Sequence, residues 1–190
     1  LYHWRKTPES SAARVDAKPY AKQAAQKALK QHLKERGQTG RVLEGLLAGH
    51  FRVRFKLTSR PLVSLVLPTD DQRRRVTGRG EISLLQNFLL SLMQKTTYSR
   101  YELLVCDNGK LSVESQKLLE SIPHRRLSYQ EIHPSFNFAR KANFCFRQAR
   151  GAYVVLLNDD LEVITHDWIE AMLEWATQTS IGAVGCKLLY

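Results

Sequence analysis

From Pro61 onward the sequence alternates short apolar runs with segments of helical period, and this alternation constrains the fold more than any other feature. The apolar runs are Leu62–Leu67, Tyr101–Cys106, Leu127–Ile132, Tyr153–Leu157 and Ala183–Leu189. Each is strand length, and each falls far short of the ~20 residues a membrane span needs. Between them lie Ile82–Gln94, whose Leu84, Leu85, Phe88, Leu89 and Leu92 mark one helix face, then Val113–Ser121, Asn137–Arg150 and Thr165–Thr177. Thr165 is the expected N-cap of the last. Strand and helix alternate four times, which predicts an α/β domain with a mostly parallel sheet and helices on both faces.

The region before Pro61 has another character. Residues 17–36 predict a helix, with Pro19 in its first turn, a thin stripe of Ala21, Ala24, Ala25, Ala28, Leu29 and Leu33, and Gly37 as its stop. Gly37–Arg60 reads as a connector with one strand, Phe51–Leu57, and the domain boundary is expected near Pro61. Net charge is +11, and it is concentrated here: 14 Lys and Arg against 4 Asp and Glu in residues 1–60, then 15 against 14. Two readings stand side by side, a solvated helix face and contact with an anionic membrane surface; nucleic acid is not the expected partner. Three widely spaced cysteines, Cys106, Cys145 and Cys186, suggest neither a disulfide framework nor a zinc site, and point to a reducing, cytoplasmic compartment. The start at Leu1 and the apolar run reaching Tyr190 read as the ends of a fragment.

In an open parallel sheet the ligand crevice lies beyond the carboxyl ends of the strands. The residues at those ends are polar: Pro68, Thr69, Asp70 and Asp71 after the first strand, Asp107, Asn108 and Gly109 after the second, Asn158, Asp159 and Asp160 after the fourth. The carboxylates of Asp70, Asp71, Asp107, Asp159 and Asp160 thus gather on one edge, where without a cation or donors they would repel one another and shift upward in pKa. No His or Cys accompanies Asn158–Asp160, so a hard cation, Mg2+ or Mn2+, suits these oxygens better than zinc. The alternative is that the aspartates merely end the strand. Asp107 would hold a base or ribose, or serve only as a turn former in Asp-Asn-Gly. A helix opening at Asn137 aims its first N–H groups at the crevice, where Arg140 or Lys141 would meet a phosphate; otherwise Phe136 and Phe138 are core and the basic pair a solvated face. His124 and His133 have no spaced partner and take no role. No GxGxxG follows the first strand and no Walker loop occurs, which disfavours a nicotinamide dehydrogenase.

These motifs together resemble the inverting family 2 glycosyltransferases of bacterial surface-polysaccharide synthesis. The resemblance runs in order through Pro61–Thr69, Tyr101–Gly109, Phe136–Ala139 with Asn143, Gly151–Asp160 and Gly182–Tyr190. It implies a Rossmann-like GT-A fold, of which residues 61–190 are the nucleotide-sugar-binding half, with residues 1–60 as the tail of an upstream module. It implies a donor site of Pro68, Thr69, Asp71, Asp107, Asn137, Lys141, Asn143, Asn158 and Asp159. Asn158–Asp160 takes the place of the family's DxD motif, with Asp160 the foremost metal ligand and Asn158 in the first position. The family's general base lies beyond Tyr190, so this chain is expected to bind donor without catalysing transfer. The implied reaction moves a hexosyl or deoxyhexosyl group from a nucleoside diphosphate to a saccharide or lipid-linked acceptor, in the cytoplasm or at the inner face of the plasma membrane. Departures from the family's pattern are the long basic link Gln72–Gly80, Cys145 in place of a common glycine and Lys110 in place of a common serine. A receiver-type signalling domain shares the doubly wound pattern, but Ile132, His133 and Pro134 stand where its phosphorylated Asp would follow the third strand. A non-catalytic nucleotide-binding or scaffolding module remains the alternative.

Overall fold

The computed structural model describes residues 19–47, 49–131 and 135–189; His133 and the end of the predicted strand at Ile132 lie outside them. The chain divides into two compact units: one holds the residues up to Thr58 with Ala171–Lys187, the other Ser59–Glu170 with the residues from Leu188.

In the first unit, α1 (Pro19–Glu35) opens on its proline as expected. Gly37, at φ +62, closes it: Gly37 N–H donates to the Lys34 carbonyl and Gln38 N–H to the Leu33 carbonyl, the paired bonds of a Schellman stop. The connector holds two strands where one was expected, β1 (Gly40–Glu44) and β2 (Phe51–Phe55), paired antiparallel. Leu33 of α1 packs with Val42 and Phe55 to form the small core, with Leu29, Phe51 and Val53 around it. The ring of Trp175 meets Phe55 edge-on, and Arg54 forks onto Glu174.

The second unit is built on a four-stranded parallel sheet ordered β7 (Arg125–Ser128), β6 (Tyr101–Asp107), β3 (Val63–Pro68), β8 (Tyr153–Leu156). β3 is buried along its whole length, which is why it reads as a continuous apolar run rather than an alternating one. The chain moves outward from β3 to β6 to β7, then returns past β3 to β8. Right-handed crossovers in opposite directions place their helices on opposite faces. Thus α2 (Leu84–Lys95) and α3 (Val113–Glu120) cover one face, while α4 (Phe138–Phe146) covers the other. Cys145 of α4 packs on Val66, Leu104 and Cys106; the intervening Leu65, Leu67, Leu103 and Val105 are fully buried on the side where α2 inserts Leu85, Phe88, Leu89 and Leu92. Gly151 is required by the packing: a Cβ there would lie 2.6 Å from the Ser64 nitrogen and 2.8 Å from the Leu62 carbonyl, and its absence lets the chain enter β8 against β3.

Four sequence expectations are corrected. Ala183–Leu189 forms no strand, because no described strand offers it a hydrogen-bonding ladder, and an apolar pattern cannot supply one. α5 (Trp168–Ala176) begins three residues after Thr165, so Thr165 is not its cap; Thr97 N–H and its hydroxyl instead hold the His166 carbonyl in the approach to the helix. α4 ends at Phe146 rather than Arg150, its end tightening into i→i+3 bonds from Gln148 and Ala149. The basic link is a hairpin of β4 (Arg73–Val76) and β5 (Gly80–Ser83), turned by Gly78 at φ +79.

Candidate functional site

At β3 and β8 the strand order reverses, and there the crevice of a doubly wound sheet opens. Thr69 follows β3, Asn158–Asp160 follow β8, and the Thr69 hydroxyl donates to Asp159 Oδ2 at 2.5 Å, joining the two strand ends. Thr69 is also tied from behind: Lys141 of α4 is buried and donates from Nζ to the Thr69 carbonyl at 2.7 Å. The backbone N–H of Thr69 donates to the Cys106 carbonyl, which carries Pro68 and its strand onto β6.

Asp71 turns back from this edge at φ +50, a left-handed conformation that aspartate tolerates better than most residues. Its N–H donates to the Thr69 hydroxyl oxygen. Its carboxylate accepts from Ser112 N–H and Oγ, both at 2.7 Å, and from Ser115 Oγ at 2.8 Å, with Ser83 Oγ at 3.4 Å. Asp71 thereby fixes the start of α3 and the start of α2 to the end of β3. Asp107 is fully buried. Arg126 of β7 donates to both its oxygens, at 2.7 and 3.0 Å, and Gly109 N–H adds a bond at 2.6 Å. Asp70 accepts from Asn108 and Gln72.

An upward drift was expected only without a cation or donors, and Asp70, Asp71 and Asp107 have donors. Burial alone would raise Asp71, but the Ser112 N–H and hydroxyl, with Ser115 and Ser83, outweigh it and hold the carboxyl below its ordinary value. Burial also pushes Asp107 upward, and the Arg126 guanidinium, Gly109 N–H and the charge of Lys141 reverse the sign. Asp70 is lowered first by the Gln72 amide, then, against partial burial, by Asn108 and the charges of Lys141 and Lys110.

Asn158 and Asp160 differ from the rest of the edge. Both are exposed, and among the described residues neither side chain has a hydrogen bond or ion pair. Asn137 caps α4, its Oδ1 accepting from Arg140 N–H, and Asn143 is exposed further along that helix. The structure thus brings Thr69, Asp71, Lys141 and Asp159 into one bonded group next to Pro68, places Asp107 behind it, and leaves Asn158 and Asp160 facing solvent. Phe136 and Phe138 are 66% and 46% exposed, so they are not core, and Lys141 is not on a solvated face. Sequence reading missed Arg126, Ser112 and Ser115. Ser112 is readable afterwards as the N-cap of α3, but nothing in its local sequence pairs it with Asp71.

Among the described residues no group of three or more His, Cys, Asp or Glu is placed to hold a metal ion. The oxygen donors of Asn158 and Asp160 fit a hard cation that takes most of its shell from water and a ligand's phosphates, as Mg2+ does, and not an ion caged by protein alone.

Over its whole length the chain is 35% identical to an uncharacterised protein, y4gI, of Sinorhizobium fredii and 31% identical to the O-antigen biosynthesis protein RfbC of Myxococcus xanthus. It spans only 20% and 14% of the length of these two relatives. Among solved structures, the mannosyltransferase PcManGT from Pyrobaculum calidifontis, in complex with GDP-Man and Mn2+, shares the fold at a TM-score of 0.54 and 19% identity, covering 68% of this chain and 36% of that one. The Rossmann-like GT-A fold expected from the motifs is the one observed. Residues 78–190, from the hairpin turn through the acidic triplet, match the profile of one family, and the chain belongs to glycosyl transferase family 2.

Proposed function

We propose that this chain is the donor-binding half of an inverting, metal-dependent glycosyltransferase that moves a sugar from a nucleoside diphosphate to a saccharide or lipid-linked acceptor during synthesis of a cell-surface polysaccharide. The carrying observation is the open pair Asn158 and Asp160 at the strand-order reversal, beside a rigid frame of Thr69, Asp71 and Asp159. Family membership and the similarity to an O-antigen biosynthesis protein support the reaction class.

In this reading Asp160, with Asn158, holds Mg2+ or Mn2+, which when bound neutralises charge on the departing diphosphate. Asp159 is kept in orientation by Thr69, and Thr69 by Lys141, so the triplet presents a fixed backbone to the ligand. Asp107, Asn137 and Asn143 border the nucleoside side. Pro68 ends β3, the strand that leads into Thr69 and Asp71. In this reading the chain binds donor without turning it over, since none of these residues is assigned as the general base. Residues before Pro61 are the tail of a preceding module. The working place is cytoplasmic, at the inner face of the plasma membrane; among the described residues no helix is long and apolar enough to cross a membrane.

The test is thermal unfolding of the chain with UDP-, GDP- and dTDP-sugars, with and without Mn2+. One donor should raise the midpoint in a metal-dependent way, equivalent to about 2.7 kcal/mol at a hundredfold excess over Kd, and Asp160→Ala should abolish that response. Stabilisation by no donor would sink the proposal and favour a scaffolding module.

A further inference from the structure

The first unit carries a cavity of about 250 Å3, bordered by α1, β2, α5 and the turn that follows α5. All of its lining residues belong to this unit, and none is among the candidate donor-site residues. Its floor is apolar, with Leu33, Val53, Phe55 and Trp175. Two contacts fix the indole. The Trp175 ring meets Phe55 edge-on at 4.9 Å between centroids, and the preceding Glu174 is buried and accepts from Arg54 and from Phe55 N–H. Trp175 is nonetheless 40% exposed, so the cavity has a rigid aromatic wall that solvent still reaches.

The rim is polar and of one sign. His32, in the last turn of α1, and Arg36, just after it, both line the cavity, and among the described residues neither side chain has a hydrogen bond or an ion pair. Among the described residues no Asp or Glu lines it. Gln38 Nε2 donates to Gln178 Oε1 at 3.3 Å, and Gln178 Nε2 donates to the Glu174 carbonyl, which leaves Gln38 Oε1 open among the described residues. An unpaired guanidinium beside an aromatic wall suits a ligand that has a flat apolar face and an anionic group, since the fork matches a carboxylate through two parallel N–H bonds. A sugar ring bearing a carboxylate has both. Its C–H groups form a face that lies on an indole, and its hydroxyls exchange bonds with side-chain amides. The cavity is smaller than the roughly 300–1,000 Å3 of sites for drug-sized ligands, which fits a sugar ring and not a complete nucleotide donor.

We propose that this cavity binds an acidic saccharide, with a uronate ring against Trp175, its carboxylate on Arg36 and its hydroxyls on Gln38 and Gln178. The choice of a saccharide rests on the reading of the chain as part of a transferase for a cell-surface polysaccharide; the apolar wall and unpaired cations do not depend on it. The site holds a sugar unit of the polymer outside the donor crevice and takes no part in the transfer itself.

Two-dimensional proton–nitrogen NMR of the intact chain tests this at the indole Nε1–H of Trp175, identified by its absence in Trp175→Phe. Methyl glucuronide, methyl glucoside and octanoate are titrated into wild type, Arg36→Gln and Trp175→Phe. The expected result is a saturable shift of the Trp175 indole with the glucuronide, roughly tenfold weaker binding of the neutral glucoside, and loss of that preference in Arg36→Gln. In Trp175→Phe the backbone amides of Gln38 and Gln178 should report weaker binding of both sugars. Arg36 is exposed and unbonded, so its replacement should leave the remaining spectrum unchanged, which separates lost binding from misfolding. No shift of the Trp175 indole with either sugar overturns the inference, as does equal affinity for the two sugars. Binding of octanoate without the glucuronide overturns it in favour of an apolar anion. The metal-dependent thermal response to nucleotide sugars is read on the same proteins. If that response persists while the glucuronide fails, only this inference falls; if the glucuronide binds and no donor stabilises the chain, the cavity stands and the donor reading falls.

Discussion

The two halves of the carboxyl edge hold the same kind of residue in opposite states. On the β3 and β6 side, Asp71 and Asp107 are saturated by Ser112, Ser115, Arg126 and Gly109. On the β8 side, Asn158 and Asp160 are exposed and bonded to nothing among the described residues. An acid whose oxygens are filled by the protein is part of the frame, because its donors are used in every state of the molecule. An acid left open keeps its capacity for a ligand. Asp159 lies between the two conditions, half-buried and bonded once, to Thr69.

The saturated side breaks most severely at Arg126. Arg126→Leu leaves the buried Asp107 without its fork; because Arg126 is itself 38% exposed and water can reach the gap, the cost should fall between about 0–1 kcal/mol, as for a surface bridge, and about 3–5 kcal/mol, as for a fully buried pair. Urea unfolding should show that loss, and adding Asp107→Asn should restore part of it by removing the stranded charge. A loss below about 1 kcal/mol would mean that the pair behaves as a surface bridge and that Asp107 is not frame.

A milder way to break the same side is acid. Asp71 and Asp107 have folded pKa values below their unfolded ones, so their stabilisation is complete above the unfolded value near 3.9 and is lost as pH falls through the lowered folded values. Stability by chemical denaturation should therefore be level between about pH 7 and 5 with respect to these groups and decline below about pH 4. Asp107→Asn should flatten part of that decline. A decline unchanged by removing Asp107 would assign the acid sensitivity elsewhere.

How much of this was legible beforehand follows from where the information sits. The apolar runs of β3, β6 and β8 and the helix face of α2 are local signals, and they gave the sheet. β7 begins two residues earlier than its apolar run because Arg125 and Arg126 enter the strand through partners on β6, Glu102 and Asp107, a pairing no local pattern encodes. The hairpin was hidden for a similar reason: three arginines depress the strand signal, and only the turn is marked, by Gly78 and Gly80. For the site, sequence order located the edge and its acids but not their state. Whether Asp71 is open or filled depends on Ser112 and Ser115, some forty residues away. Lys141 looked equally suited to phosphate or solvent, and burial directed it to a backbone carbonyl instead.

The open side is sharpened by a change that should scarcely touch the fold. Asn158→Asp restores a carboxylate where the triplet has an amide; because Asn158 is exposed and unbonded, stability should stay within about 0.5 kcal/mol of wild type. If Asn158 and Asp160 face one cation, the added charge should tighten Mn2+ binding by roughly tenfold, since ligand charge count tunes the affinity of oxygen sites. Titration of Mn2+ by paramagnetic resonance reads this directly, without any nucleotide. The same change at a saturated position would have no such effect, because its oxygens are already taken. Unchanged Mn2+ affinity in Asn158→Asp would place the cation away from this pair and erase the distinction between the two sides of the edge.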